Sequence, residues 1–307
     1  MLVRRGLVLL VLPVLLGCAA EPSPDTPPPS SPGPTSPSGS AGSAPPASPA
    51  DVAARLRALE REFAARVGVS VVDTGGGPGT SYRGGARFGH ASTIKAFAAA
   101  AFLRLVPEAE RGEVVRWTAA DLAEAGYAPV TEQHLDAGLP LERLAEAAVR
   151  ESDNLAYNLV LERIGGPPVL DDELARLGDD VTEVVSFEDE LNDIEPGSTA
   201  DTTTADAFAG ALADLVTGEH LAGADRALLL DWMSGNVTGD ALIRAGAPDG
   251  WDVADKSGGA GGLRNDVAVV TPPDDEPLVV VVLTEKRDPD ADYDDALVAR
   301  VAEVVLG

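Results

Sequence analysis

The sequence predicts an α+β fold, on three observations. A β-branched run lies at residues 67–72, two more strand-like runs lie near the far end at 266–270 and 278–283, and the stretch between them is patterned as helices. Strands drawn from both ends of a chain, with helices between, suggest terminal segments sharing one sheet on which helices are layered. In order, residues 53–66 carry apolar side chains at helical spacing, so a helix opens the domain. The run at 67–72 ends in Asp73-Thr74-Gly75, a strand-then-turn signal. Residues 92–105 form an Ala-rich helical stretch, 141–149 a second, and 155–164 a third that Gly165-Gly166-Pro167 ends. The two late strands are parted by Pro272-Pro273-Asp274-Asp275, and 294–305 is helical again. There is no internal repeat.

Composition narrows the function. The 307 residues hold 23 Lys+Arg against 50 Asp+Glu, a formal net charge of -27. Such a chain repels polyanions, which argues against nucleic acid as a partner. With 45% hydrophobic and 24% charged residues the chain has room for one large domain or two small ones, and whole-chain disorder is excluded. The single cysteine, Cys18, rules out an intramolecular disulfide and a thiolate metal cluster. His90, His134 and His220 stand at no metal-ligand spacing, so neither a metal nor another cofactor is expected.

The N-terminus has the pattern of a bacterial export signal over residues 1–17. Arg4 and Arg5 precede an apolar run at 7–16 that is too short to span a membrane comfortably. Leu15-Leu16-Gly17-Cys18 resembles the lipobox of bacterial lipoproteins, which implies cleavage before Cys18, diacylation of its thiol and a lipid anchor at the outer face of the cytoplasmic membrane. The alternative is cleavage near Ala19-Ala20, with Cys18 lost in the discarded peptide. The Arg-Arg pair hints at twin-arginine export without deciding it. Residues 18–50 are dominated by Pro, Ser, Gly, Ala and Thr and read as an extended tether, leaving 51–307 as the folded domain. Arg4 and Arg5 cancel Glu21 and Asp25, so the charge of -27 belongs to that domain, where it serves solubility and repulsion.

Three short motifs carry chemistry. Ala91-Ser92-Thr93-Ile94-Lys95 places a hydroxyl and an amine three residues apart, on one face at the start of a helix, where the helix dipole favours developing negative charge. Alone, Ser-x-x-Lys equally describes a helix cap followed by a solvated lysine. The usage of lysine tips the balance: of 23 basic residues only Lys95, Lys256 and Lys286 are lysines, leaving 20 arginines, and two of the three fall in candidate motifs. Arginine cannot give up its proton, whereas a desolvated lysine near other cations can. Ser152-Asp153-Asn154 and Asp255-Lys256-Ser257-Gly258 follow in order, the latter at the edge of a strand-like run.

Ser-x-x-Lys, then Ser-Asp-Asn, then Lys-Ser-Gly resembles the signature of the penicillin-recognising serine enzymes, and longer strings narrow the resemblance to class A β-lactamases. These strings are Arg87-Phe88-Gly89-His90-Ala91-Ser92, Tyr127-Ala128-Pro129-Val130-Thr131-Glu132, and Asn236-Val237-Thr238-Gly239-Asp240 with Ile243-Arg244-Ala245-Gly246. Glu188-Asp189-Glu190-Leu191-Asn192 is similar to the family's omega-loop Glu-x-x-Leu-Asn, a register that prefers Glu188 over Glu190, and Asp201-Thr202-Thr203 resembles the segment closing that loop. The resemblance implies an antiparallel sheet from the N- and C-terminal segments packed against helices, with a helical middle subdomain, and a monomer acting on β-lactams. It implies Ser92 as nucleophile, Lys95 and Glu188 as bases, Ser152 as proton relay, Lys256 beside it, and backbone N–H groups of Ser92 and Gly259 for the oxyanion. Asn154 would bond the substrate side chain, Lys256, Ser257 and Arg264 would face its carboxylate, and Tyr127 and Gly258 would line the cleft. Asn192 and Asn158 would orient Glu188, and His90 would be structural. One position departs: the family usually has arginine two residues before the glutamate, paired with the closing aspartate, and here it is Ser186. Asp201 therefore lacks that partner, which threatens deacylation before acylation. A peptidase or esterase of the same fold, or a β-lactam sensor that stays acylated, are the competing possibilities.

Overall fold

The computed structural model describes residues 48–307; the expected export signal, Cys18 and the expected tether up to residue 47 lie outside the described residues. The chain runs through α1 (Pro49–Glu62), β1 (Ala65–Asp73), β2 (Thr80–Tyr82) and β3 (Arg87–Gly89) into α2 (Ile94–Leu105). There follow β4 (Val114–Val115), α3 (Ala119–Ala125), β5 (Leu139–Pro140), α4 (Leu141–Arg150), α5 (Asn154–Ile164) and α6 (Pro167–Arg176). After a long loop come β6 (Thr202–Thr204), α7 (Ala205–Thr217), α8 (Gly223–Ser234) and α9 (Ile243–Gly246). Strands β7 (Asp252–Ala260), β8 (Leu263–Thr271) and β9 (Leu278–Lys286) and helix α10 (Asp295–Leu306) complete it.

The main sheet is antiparallel, in the order β2-β1-β9-β8-β7, so strands from both ends of the chain share it. The apolar run of β9 is continuous because both its faces are covered. Val279, Val281 and Leu283 pack against the helical middle, while Val280 and Val282 pack against a second cluster that includes Leu56 of α1 and Val298 of α10. On the other side of the sheet, α2 is buried at every residue except Arg104 and Leu105. A helix apolar all round belongs inside, and its alanines let neighbouring helices approach closely. Among the described residues, no helix is long and apolar enough to cross a membrane.

Local differences from the sequence expectation have identifiable causes. The first helix starts at Pro49 rather than 53, because Ser48 caps it and Pro49 is preorganised for a first turn. It stops at Glu62 rather than 66: Ala64 turns the chain with φ of 48°, and Arg66 is already in β1, opposite Glu285. Lys256-Ser257-Gly258 lies inside β7 rather than at a strand edge, since Gly258 still pairs with Asn265 of β8. The rings of Phe97 in α2 and Phe208 in α7 lie 4.6 Å apart between centroids, joining two helices of the larger core. Phe208→Ala is expected to cost about 3–5 kcal/mol in denaturant unfolding; a loss below about 1 kcal/mol would show that this contact contributes little.

Candidate active site

The site begins with a turn. β3 leads into a single 3-10 turn, Ala91–Thr93, and directly into α2, which leaves Ser92 half-buried at the floor of a cleft and Lys95 wholly buried one turn on. Asn265 of β8 pins this turn by donating to the Gly89 carbonyl at 2.8 Å. β7 comes so near that a Cβ on Gly258 would meet the Thr93 nitrogen at 3.0 Å and the Ala91 Cβ at 3.2 Å, a tight fit that glycine relieves. Lys95 Nζ donates to the Ser152 carbonyl at 2.9 Å and to Asn154 Oδ1 at 2.6 Å, and lies 2.9 Å from Glu188 Oε1.

The second wall comes from the start of α5. Asp153 caps that helix at the Ala156 nitrogen, and the same carboxylate accepts from the Val130 and Thr131 nitrogens at 2.9 and 2.8 Å, tying the Tyr127 segment to the helix. The Tyr127 carbonyl accepts from the Asn154 nitrogen at 2.9 Å, and its ring stands 58% exposed on the rim. Opposite, Lys256 Nζ is 3.1 Å from Ser152 Oγ, and the Ser257 and Thr238 hydroxyls are 2.6 Å apart. Arg264 is held by Asp295 at 2.6 Å, with its guanidinium 4.8 Å from the centre of the Tyr293 ring.

The third wall is the loop of residues 177–201. Glu188, 3% exposed, directs Oε1 at the Ser92 hydroxyl, 3.1 Å away, and its Oε2 accepts from Asn192 Nδ2 at 3.2 Å. Asn158 brackets its backbone, accepting from the Glu188 nitrogen at 2.9 Å and donating to the Glu188 carbonyl at 2.7 Å. Glu190, the other candidate, is exposed. Without an arginine at 186, Asp201 Oδ1 accepts from the backbone nitrogens of Val185 and Ser186 at 2.9 and 3.1 Å. Its nearest cationic candidate is His90 Nε2 at 3.7 Å, and burial pushes that imidazole towards the neutral form.

Together Ser92, Tyr127, Ser152, Asn154, Glu188, Asn192, Ser257, Gly258, Gly259 and Arg264 line one cleft of about 500 Å³, with Thr238 and Tyr293. A larger hollow of about 840 Å³ lies beyond Asn192, the one residue the two share, and Ser92 does not reach it. Electrostatics suit proton transfer in the smaller cleft. Burial lowers the Lys95 pKa, opposed by the Glu188 charge and hydrogen bond. Burial first, then the neighbouring Lys95 charge, push Lys256 from 10.5 down to about 7. Ala91, Ser152 and Asp201 all hold left-handed backbone, with φ of 45°, 57° and 54°. For residues other than glycine such backbone costs about 1–3 kcal/mol each and tends to cluster at functional sites. Among the described residues, no group of acidic, histidine or cysteine side chains is placed to hold a metal ion.

A serine between a buried lysine and a buried glutamate, in a cleft with a second lysine, is matched by the comparisons with known proteins. Residues 51–307 fit the model of the Beta-lactamase enzyme family. The chain belongs to that family. It is 48% identical over 249 residues to a Bacillus amyloliquefaciens β-lactamase, covering 81% of each chain, and 44% identical over 265 residues to one from Amycolatopsis lactamdurans, covering 85% of this chain and 87% of the relative. Among solved structures it resembles a β-lactamase from Streptosporangium roseum (TM-score 0.80, 39% identity, 83% of this chain and 97% of that one). It also resembles a class A β-lactamase from Clostridium kluyveri (TM-score 0.79, 40%, 82% and 96%).

Beyond the residues to which the sequence assigned a role, this family member brings Asp153, Thr238, Tyr293 and Asp295 to the site. Asp153 sits inside the Ser-Asp-Asn string and could have been found as an N-cap. Tyr293 and Asp295 follow the last strand and carry no local signal. With only three lysines, ¹³C-lysine labelling gives three side-chain signals to follow by NMR. The Lys256 signal, assigned by Lys256→Arg, is expected to titrate near pH 7; titration above pH 9 would remove the effect of burial assigned to it. Between about pH 7 and 10.5 the unfolded chain binds a proton that folded Lys256 has released, so this group favours the folded state increasingly as pH rises through that window.

Proposed function

We propose that this protein hydrolyses the amide of β-lactams through an acyl-enzyme on Ser92. The observation that carries this is Glu188 Oε1, which lies 3.1 Å from the Ser92 hydroxyl and 2.9 Å from Lys95 Nζ. It puts a carboxylate base beside the nucleophile, as hydrolysis of an ester on Ser92 requires. Ser92 Oγ attacks the lactam carbonyl carbon, and its proton passes to the Lys95–Glu188 pair. The oxyanion is held by the backbone N–H groups of Ser92 and Gly259. As the C–N bond breaks, the ring nitrogen takes a proton from Ser152, whose hydroxyl Lys256 holds at 3.1 Å, and the proton taken from Ser92 passes on to Ser152, which leaves Glu188 ionised again. Glu188, oriented by Asn158 and Asn192, then takes a proton from a water that attacks the ester carbonyl; the ester bond breaks and Ser92 Oγ is reprotonated. Asn154 bonds the substrate's acylamido side chain, and Ser257, Lys256 and Arg264 face its carboxylate.

The domain acts as a monomer, carried on a tether of residues 18–47, three residues shorter than the sequence suggested because Ser48 caps α1 and Pro49 opens it, from a lipidated Cys18 at the outer face of the cytoplasmic membrane, after removal of residues 1–17 as an export signal. Support for the anchor is the Leu15-Leu16-Gly17-Cys18 string with its single cysteine.

Turnover of a chromogenic cephalosporin, with intact-mass detection of adducts, tests the chemistry. The parent is expected to turn over and Ser92→Ala to form no adduct. Glu188→Ala is expected to trap one, with deacylation slowed at least about 100-fold. A parent that traps the adduct without turnover would instead be a binding protein or sensor, and one that is never acylated would be an acyl hydrolase of another substrate. Arg264→Ala is expected to raise KM about 10–100-fold, the loss of a charge-assisted hydrogen bond; an unchanged KM would remove Arg264 from carboxylate binding. Labelled palmitate should enter the wild-type chain in its bacterial host and not Cys18→Ser; equal labelling of both would exclude Cys18 as the anchor.

A further inference from the structure

We propose that Arg87 is a positioning residue for deacylation, clasping both arms of the Glu188 loop to the chain segment that carries the nucleophile. Arg87 opens β3, five residues before Ser92 in one continuous strand-turn-helix run. Its Nη2 donates to the Val181 carbonyl at 2.7 Å, on the arm leading to Glu188. Its Nη1 donates to Thr202 Oγ1 at 2.8 Å, at the start of β6, the strand that leads away from the loop and pairs with β3. Among the described residues it is the side chain outside the loop whose cation bonds both arms at once.

The clasp is itself anchored. The Arg87 carbonyl accepts from Arg66 Nη2 at 3.0 Å; Arg66 pairs with Glu285 of β9 at 2.6 Å and lies 4.7 Å from the centre of the Phe88 ring. A path of direct contacts thus runs from the main sheet through Arg66 and Arg87 to the two arms. The loop has no comparable cation of its own. Position 186 is a serine, the Asp201 carboxylate is occupied by backbone nitrogens, and His90 is pushed towards neutrality by burial. Glu183 Oε1, 3.7 Å from Arg87 Nη2, is half-exposed, so that contact is screened and the two hydrogen bonds matter more.

Why two donors on one planar group matter is geometric. A guanidinium presents a fixed fork that can meet acceptors on two strands together, whereas an ammonium has one nitrogen. Ser92 and Glu188 arrive on separate segments, and the 3.1 Å between them holds only while those segments keep their register. In acylation Ser92 can give its proton to Lys95, outside the loop, as well as to Glu188, whereas in deacylation the attacking water depends on Glu188 alone. Loosening the arms therefore acts mainly on the second step.

This role rests on Glu188 being the deacylating base. The test measures acylation and deacylation rates separately by stopped-flow and intact mass, in the parent, Arg87→Ala, Arg87→Lys and Thr202→Val, each checked for folding by circular dichroism. Arg87→Ala and Thr202→Val are expected to slow deacylation about 10–100-fold, a misplacement effect, and to accumulate adduct. Acylation should change less than about threefold. Arg87→Lys, which can reach one arm, should fall between parent and Arg87→Ala. Thr202→Val keeps the side-chain shape but removes the Arg87 acceptor together with the hydroxyl's bond to the Thr199 carbonyl at 2.6 Å; should Arg87→Ala fail to fold, Arg87→Lys, which leaves that second bond in place, carries the test with it. Folded variants that deacylate at the parent rate, or whose two rates fall in parallel, would overturn the clasp while the parent's turnover keeps β-lactam hydrolysis intact. A parent that never forms the adduct overturns β-lactam hydrolysis and the role of Arg87 together.

Discussion

An ammonium group inside a helix that is apolar on nearly every side must find a counter-charge or release its proton, and Lys95 meets that demand with Glu188 at 2.9 Å. The remaining acceptors, the Ser152 carbonyl and Asn154 Oδ1, are set by the same need. Three segments distant in sequence are thereby drawn to one point: the nucleophile turn, the start of α5 and the 177–201 loop. Desolvation that would be a defect in an ordinary core here lowers the pKa of a lysine, against the pull of the Glu188 charge.

The sheet supplies the fourth segment. β7 lies against the nucleophile turn because Gly258 has no Cβ, and that approach buries Lys256 close enough to Lys95 for the two charges to oppose each other. Each lysine is pushed towards neutrality by burial, yet their surroundings differ: Lys95 faces a carboxylate, while Lys256 faces the Ser152 hydroxyl. Two similar amines thus reach different electrostatic states within one cleft.

Local patterning made much of this legible. β9 announced itself as a continuous apolar run because it is covered on both faces, and the end of the opening helix was misplaced because its last apolar positions run on into β1. The motif residues could be found because Ser92, Ser152 and Lys256 each sit in a short string. Glu188 needed the register of Leu191-Asn192 to separate it from Glu190 two positions on. Tyr293 and Asp295 were not legible, since nothing near them in sequence says that α10 leads back to the cleft. Nor could Ser186 reveal its compensation, because the groups that replace a side-chain cation at Asp201 are backbone nitrogens, which every sequence has.

The order of the sheet carries a consequence for how the molecule comes into being. β1 is paired along its whole length with β9, and Lys256 rides on β7, so the final 56 residues of the chain (307 minus 251) must be present before either the sheet or the cleft can close. During synthesis the helical middle has its neighbours within reach early, whereas β1, beyond its short pairing with β2, waits for a partner made some 200 residues later. A nascent or clipped chain would therefore hold Ser92, Lys95 and Glu188 without Lys256 or the strand that carries Gly259. Catalytic competence in this architecture arrives with the last part of the chain to emerge, which makes activity a direct report on complete synthesis and folding.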